Sequence, residues 1–299
     1  MRPDRPSTTA ELVCSWRALE QLLPAQERIL SDPHARAFLG PARAALVDAV
    51  ERLPPRARKA LFRRIDRALQ GIMTFIVARH RALDDLLVEQ EGLSQVVLLG
   101  TGYDSRVRRL AGKLPEATLY EVDHPATAAR RESLLDAALG EGSRLPRVPV
   151  TVDFARESFV ERLREAGFDP AQRTVWCWEG VTMYLEQEAV AETLRSIAQN
   201  SPPGSLVGFD VWTPPSDGVA RLALRDLPAL AMRLAYAEPF VWGPDPAELE
   251  PFVAEQGLAL IELTSSFDLV ERYAPGSRPW LARHPHLHLC LAEVDRPLD

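Results

Sequence analysis

Cysteine is scarce. Cys14, Cys177 and Cys290 are the only three in 299 residues; they lie far apart and none is part of a CxxC pair. This spacing argues against a disulfide framework and against a zinc knuckle, and it fits a reducing compartment. Long hydrophobic runs are missing as well: no stretch of about 18 apolar residues could span a bilayer. Met1-Arg2-Pro3-Asp4-Arg5-Pro6 has no apolar stretch behind it of the kind a secretory signal needs, so a cytoplasmic protein is expected. Excess positive charge is absent too. A net charge of −7 and a pI of about 5.5 leave no dominant basic face for nucleic acid. The one basic run, Arg56 to Arg67, is spread around a helix that also carries Ala60, Leu61, Ile65 and Leu69, and reads as a solvated face. There are no internal repeats and no low-complexity tracts.

The chain does contain enough apolar residues, 46%, to exclude wholesale disorder and to support a sizeable core. Periodicity predicts helices over Glu11 to Leu30, Ala42 to Leu53 and Ala57 to about Glu91, the last weakest at Gly71. From Leu93 the period changes. Apolar runs at Val96 to Leu99, Ala117 to Tyr120, Arg147 to Val152, Thr174 to Trp178 and Ser205 to Val211 predict strands. Helical segments at Pro125 to Leu139, Ser158 to Ala166 and Glu186 to Ala198 separate them. That alternation predicts an α/β fold with a mostly parallel sheet and helices on both faces. Residues 1–92 are expected to form a helical N-terminal cap and 93–299 the core, with a helical lid inserted at about 213–245. Pro246 to Gln256 is a further helix. Ala259 to Leu263 and Leu287 to Ala292 are late strands, expected by analogy to pair as an antiparallel edge hairpin.

The chemistry concentrates where the first strand ends, at Leu99-Gly100-Thr101-Gly102-Tyr103-Asp104-Ser105-Arg106. Glycines at the carboxyl end of a buried strand allow close backbone approach of a ligand, and an acid after the next strand, Asp123, suits a ribose. A dinucleotide fingerprint would have a third glycine where Ser105 stands, and Asp104 is an anion near the place of a pyrophosphate. A phosphate-free cation with a ribose fits better, and S-adenosylmethionine is such a ligand. Asp153 and Glu179 close the third and fourth strands, so with Asp123 three successive strand ends carry carboxylates that can hold hydroxyls, an adenine amino group and an ammonium.

With these residues in hand, the chain resembles the leucine carboxyl methyltransferase-like family. The resembling pieces are Ser31-Asp32-Pro33-His34-Ala35, Ala78 to Asp85, Leu99 to Arg106, Tyr120 to Pro125, Pro149 to Phe154 and Trp178 to Leu185, in the family's order over roughly residues 11 to 211. The resemblance implies a Rossmann-like class I methyltransferase with a seven-stranded sheet and S-adenosyl-L-methionine as cofactor. It implies Arg79 on the methionine carboxylate, Gly100 and Gly102 in the cofactor loop, Asp123 on the ribose, Asp153 and Phe154 on the adenine side, and Glu179 near the amino-acid end. Arg17 is a looser match to a basic residue of the family's first helix. His80, where bacterial members usually carry threonine, and Tyr103, where a smaller aliphatic is usual, depart from the pattern and bear on the acceptor.

The family includes enzymes that esterify a protein's terminal leucine carboxylate and bacterial enzymes that esterify polyketide-type acids. A small-molecule carboxylate acceptor, bulky and apolar, is therefore the leading expectation. A phenol or hydroxyl, a protein C-terminus and a non-catalytic cofactor-binding scaffold are the alternatives. A carboxylate is already ionised at neutral pH and needs no general base. A phenol would require one, with His80 and His124 as candidates. Arg81 or Arg106 could hold the acceptor carboxylate, and Tyr184 could orient it as the candidate catalytic residue. Tyr103, Trp176, Trp178, Tyr184, Tyr236, Phe240 and Trp242 are candidate pocket walls, about half of them expected to be core. His286, His288 and Cys290 would share one strand face about 6.8 Å apart, and a sheet-covering face is the simpler reading than a metal site.

Overall fold

The structure is a computed structural model. It describes residues 6–69, 71–114, 116–139, 145–213, 240–276 and 286–295; most of the expected lid lies outside the described residues. Four helices precede the first strand: α1 (Thr8–Glu20), α2 (Pro41–Glu51), α3 (Pro55–Ala68) and α4 (Ile72–Glu89). Two sequence expectations change here. The helix expected to run to Leu30 stops at Glu20, with a single 3-10 turn at Ala25–Glu27 after Pro24. Proline cannot supply the N–H a continuing helix needs, and it restricts the residue before it. The long helix expected from Ala57 is two helices, broken where Gly71 adopts φ 86°. Only glycine takes that conformation without strain.

The sheet contains β1 (Gln95–Leu99), β2 (Thr118–Asp123), β3 (Arg147–Thr151), β4 (Thr174–Trp178), β5 (Leu206–Trp212), β6 (Leu258–Ser265) and β7 (Leu287–Val294), in the order β3-β2-β1-β4-β5-β7-β6. The first five strands are parallel. β7 lies antiparallel between β5 and β6, so the two late strands do pair with each other. The connecting helices are α5 (Arg106–Arg109), α6 (Pro125–Leu139), α7 (Phe159–Glu165), α8 (Gln187–Gln199), α9 (Pro246–Ala254) and α10 (Ser266–Tyr273). Strand order reverses between β1 and β4, and open α/β sheets bind ligands at such a point.

Each face of the sheet has its own core. Val96, Leu98 and Cys177 pack with Trp16, Phe38, Phe75 and Leu83 of the N-terminal helices, while Val97, Trp176, Trp178 and Phe209 pack with Leu163, Leu194 and Leu249. Fully burying a large apolar side chain stabilises by about 1.5–3 kcal/mol, so the N-terminal helices are bound to the sheet by core contacts. One contact positions the site. A Cβ on Gly208 would collide with Leu83 Cδ2 of α4, so the bare backbone of β5 lets α4 lie directly on the sheet. Arg79 stands one turn before Leu83 on the same helix face, which carries its side chain over the ends of β4 and β5.

Candidate active site

Register assembles the site before any side chain is considered. Leu99 pairs with Val122, so Gly100 follows beside Asp123. Trp178 pairs with Phe209, so Glu179 at the end of β4 stands beside Asp210 in β5. Gly100 and Gly102 have φ of 77° and 54°. A Cβ on Gly100 would sit 2.8 Å from Val181 Cγ2, and one on Gly102 would sit 3.1 Å from Cβ of Ala10. The loop is therefore closed on both sides by neighbours that leave no space for a side chain. Gly100→Ala should cost about 1–3 kcal/mol through backbone strain and overpacking, read as a lower thermal midpoint. Adding Val181→Ala should relieve the packing part only; full recovery would show that φ at Gly100 is not strained.

The Asp123 carboxylate turns back onto this loop. Oδ2 accepts the Gly102 N–H at 2.5 Å and Oδ1 the His124 N–H at 2.7 Å. Burial raises its pKa above the usual carboxylate value, and the two N–H groups offset part of that rise. Asp104 is not the bare anion that the sequence suggested. Its Oδ2 pairs with Arg106 at 2.7 Å, and its Oδ1 accepts the Arg106 backbone N–H at 2.6 Å. Its charge is thus answered, and it occupies the Arg106 N–H at the start of α5 that a phosphate would otherwise use.

Behind the loop runs an unbroken chain of buried ion pairs. Arg17 meets Asp32 at 2.9 Å, Asp32 meets Arg109 at 3.5 Å, and Arg109 meets Asp84 at 2.7 Å. Asp84 meets Arg106 at 2.8 Å, and Arg106 also reaches Asp104 and Glu179, at 2.7 and 2.5 Å. Glu179 meets Arg79 at 2.9 Å, and Arg79 ends the chain on Asp210. Burial alone would raise the carboxylate of Glu179, but Arg106, His80 and Arg79 outweigh it and hold the pKa well below the usual range. Arg17 and Arg109 do the same for Asp32, and Arg106 and Arg109 for Asp104. Burial lowers the pKa of His80, which stays neutral. Its Nδ1 lies 3.0 Å from both Ile76 O and Glu179 Oε2. Both neighbours are acceptors, so Nδ1 carries the proton. His80, Asp104 and Glu179 bring ligand-type atoms within 4.8 Å of one another, but Arg106 donates to both carboxylates at that point.

Of the residues read from sequence, Arg79 and Glu179 meet directly, and Gly100, Gly102 and Asp123 form one loop cluster. Asp153 is more peripheral: its Oδ1 accepts the N–H of Ala155 in its own turn. Phe154 beside it is 48% exposed. Arg106 is committed to three buried acids, and Arg81 lies on the surface paired with Asp85 at 2.9 Å. Neither offers the free guanidinium expected for an acceptor. Arg17 is buried between Asp32 and the backbone oxygen of Tyr103. Trp176, Trp178 and Trp242 are core residues, and Tyr103 is buried beside Phe38. Burial pushes its phenol up to about 12. Tyr184 is half-buried with its ring 5.4 Å from Phe240, and Phe240 lies 5.1 Å from Trp212. Tyr236 lies outside the described residues. His288 is buried with Nδ1 3.4 Å from Thr213 Oγ1, and burial raises the Cys290 thiol.

Sequence reasoning missed Asp210 and Trp212. Asp210 had a signal: it is the one charge in the apolar run Leu206 to Trp212. A carboxylate in a buried strand calls for a partner. Trp212 had none, since an aromatic at a strand end is ordinary.

The family model of leucine carboxyl methyltransferases matches residues 10–198. The chain belongs to this family. Relatives provisionally named S-adenosyl-L-methionine-dependent methyltransferases include one from Streptomyces coelicolor, 37% identical over 70% of each chain. Another, from Parafrankia sp., is 35% identical over 67% of this chain, and the match spans 61% of that relative's length. A solved structure of a DUF574 family protein from Streptomyces avermitilis has a TM-score of 0.56 at 18% identity, covering 93% of this chain and 96% of that one. That likeness concerns the fold, a Rossmann-like α/β architecture. The family match ends at residue 198, so it covers Arg79, the glycine loop, Asp123 and Glu179 but not β5 to β7.

Proposed function

We propose that the protein is an S-adenosylmethionine-dependent O-methyltransferase that forms a methyl ester on a carboxylate of a small, bulky, apolar metabolite. The buried ion chain carries the donor reading. Five carboxylates face four guanidiniums with a neutral His80 beside them, an excess of one negative charge in a water-poor site. Such a site favours a ligand with net positive charge, and S-adenosylmethionine has one.

When bound, this cofactor would supply a methyl group from its sulfonium to the acceptor oxygen, the electrons of the carbon–sulfur bond staying with sulfur so that S-adenosylhomocysteine is the other product. Arg79 would hold the cofactor's carboxylate by charge-assisted hydrogen bonds. Glu179 would face its ammonium, and Asp123 would accept from the ribose hydroxyls. Gly100 and Gly102 would allow the backbone to approach it, with Asp153 and Phe154 flanking the adenine. Tyr184, with Phe240 and Trp212, would wall the acceptor. Orientation of this kind can supply about 7–11 kcal/mol of a displacement barrier.

Two details favour a carboxylate over a phenol. His124 Nδ1 accepts the Ala126 N–H at 3.3 Å, so its lone pair is engaged, and His80 is buried with its one basic nitrogen, Nε2, 4.0 Å from Asp104 Oδ2 within the ion chain. A carboxylate needs no general base. No helix among the described residues is long and apolar enough to cross a membrane.

The test is methyl transfer from labelled cofactor to matched panels of hydrophobic carboxylic acids, phenols and peptides ending in leucine. Base-labile methyl esters of the small acids are expected. Ethers from phenols, or esters only on the peptides, would move the acceptor class. Binding of S-adenosylhomocysteine without turnover on any panel would support a scaffold, and no binding at all would overturn the reading.

A further inference from the structure

We propose that Asp210 is the positioning residue of the donor site, fixing Arg79 so that the guanidinium can read the carboxylate at the amino-acid end of the ligand. The inference rests on the donor reading above and concerns a residue beyond the matched family region.

Asp210 is 1% exposed, near the carboxyl end of β5, which lies between β4 and β7. A carboxylate there is costly unless each oxygen has a partner. Oδ2 takes Nη1 of Arg79, and Oδ1 takes the Gly180 N–H at 2.6 Å. The Asp210 backbone oxygen accepts the Thr182 hydroxyl. One residue of β5 thus ties down both a side chain from α4 and the turn that follows Glu179.

The consequence lies in what Arg79 has left. Nε is held by Glu179 and Nη1 by Asp210, at opposite sides of the planar group. Rotation about the last side-chain torsion would break one bond or the other. Among the described residues Nη2 has no hydrogen-bond partner. A Cβ on Gly180, where φ is 69°, would come within 3.7 Å of Nη1 and Nη2. The glycine therefore leaves space beside the remaining donor edge, at the carboxyl end of the sheet. Held by Glu179 alone, the guanidinium could swing and present a different edge. Asp210 thereby converts a flexible arginine into a fixed fork, which lowers the ordering cost of binding a carboxylate.

Two probes separate this role from a general structural one. S-adenosylhomocysteine carries the amino-acid end, and 5′-methylthioadenosine shares the adenosine and thioether but lacks it. In calorimetry, Asp210→Asn is expected to weaken S-adenosylhomocysteine by about 10-fold or more and methylthioadenosine by no more than about 2-fold. In turnover, KM for the donor should rise by a similar factor, with kcat at saturating donor within about 3-fold. In an Arg79→Gln background, Asp210→Asn should add less than about 2-fold, because the residue acts through the arginine. That double variant leaves neither charge bare, so it answers the question even if Asp210→Asn alone does not fold. Equal weakening of both probes, or full additivity with Arg79→Gln, would overturn the role of Asp210. Failure of the unaltered protein to bind either probe would overturn the donor reading itself.

Discussion

Arg106→Met should lose about 3–5 kcal/mol of folding free energy, a large fraction of the roughly 5–15 kcal/mol a domain has. The reason is the number of charges that depend on this one side chain. Its Nε serves Asp84 and its Nη1 serves both Asp104 and Glu179. Its backbone and side chain are buried, with 1% exposure. Methionine approximates the bulk but leaves three carboxylates short of a cation in a medium that does not solvate them. Arg106→Lys should rescue little, since one ammonium cannot reproduce a planar fork spanning three acids. Arg81→Met, which breaks an exposed pair one face away on α4, should cost about 1 kcal/mol or less. Chemical denaturation of the three variants checks the ranking. Near-equal midpoints for Arg106→Met and Arg81→Met would mean that the buried chain contributes nothing beyond a surface pair.

This hub was visible in sequence only as single residues. The alternation of strands and helices, the glycine loop and the strand-end acids depend on local order along the chain, and the parallel register then sets Gly100 beside Asp123. The ion chain depends on where α4 and α5 lie against the sheet. That placement follows from Leu83 seating over Gly208, a contact between residues 125 positions apart that no periodicity encodes. For the same reason Asp104 and Arg106 read as an isolated anion and a free cation, although they neutralise each other. Trp176 and Trp178 illustrate the limit in the other direction. An aromatic beside a strand-end acid is equally compatible with a pocket wall and with a core, and the second core of the sheet takes both.

The pH response should separate binding from folding, because the relevant carboxylates are shifted in opposite directions. Burial raises Asp123 above the usual carboxylate value, despite the N–H groups of Gly102 and His124. Its ionisation therefore opposes the fold slightly as pH rises through the interval from the ordinary value to the raised one. On the proposed reading its ionised form accepts from the ribose. Below the raised value, affinity for S-adenosylhomocysteine should fall by up to about tenfold per pH unit. Asp32, Asp104 and Glu179 behave in the reverse sense. Their pKa values are depressed by Arg17, Arg106, Arg109, Arg79 and His80 against the pull of burial. The stability they contribute is complete above the ordinary carboxylate value and is lost only as pH falls through their lowered folded values. His80, lowered by burial, adds a loss that begins as pH drops below about 6.5, where the unfolded chain takes a proton that the folded one does not. Acidification should thus open a window in which the chain is folded but no longer binds the ligand. Titration calorimetry and far-UV circular dichroism on the same buffer series measure the two curves. Asp123→Asn should weaken binding at neutral pH and flatten its acid dependence while leaving the unfolding curve nearly in place. If binding and structure are lost together in the unaltered protein, Asp123 does not titrate separately from the buried ion chain.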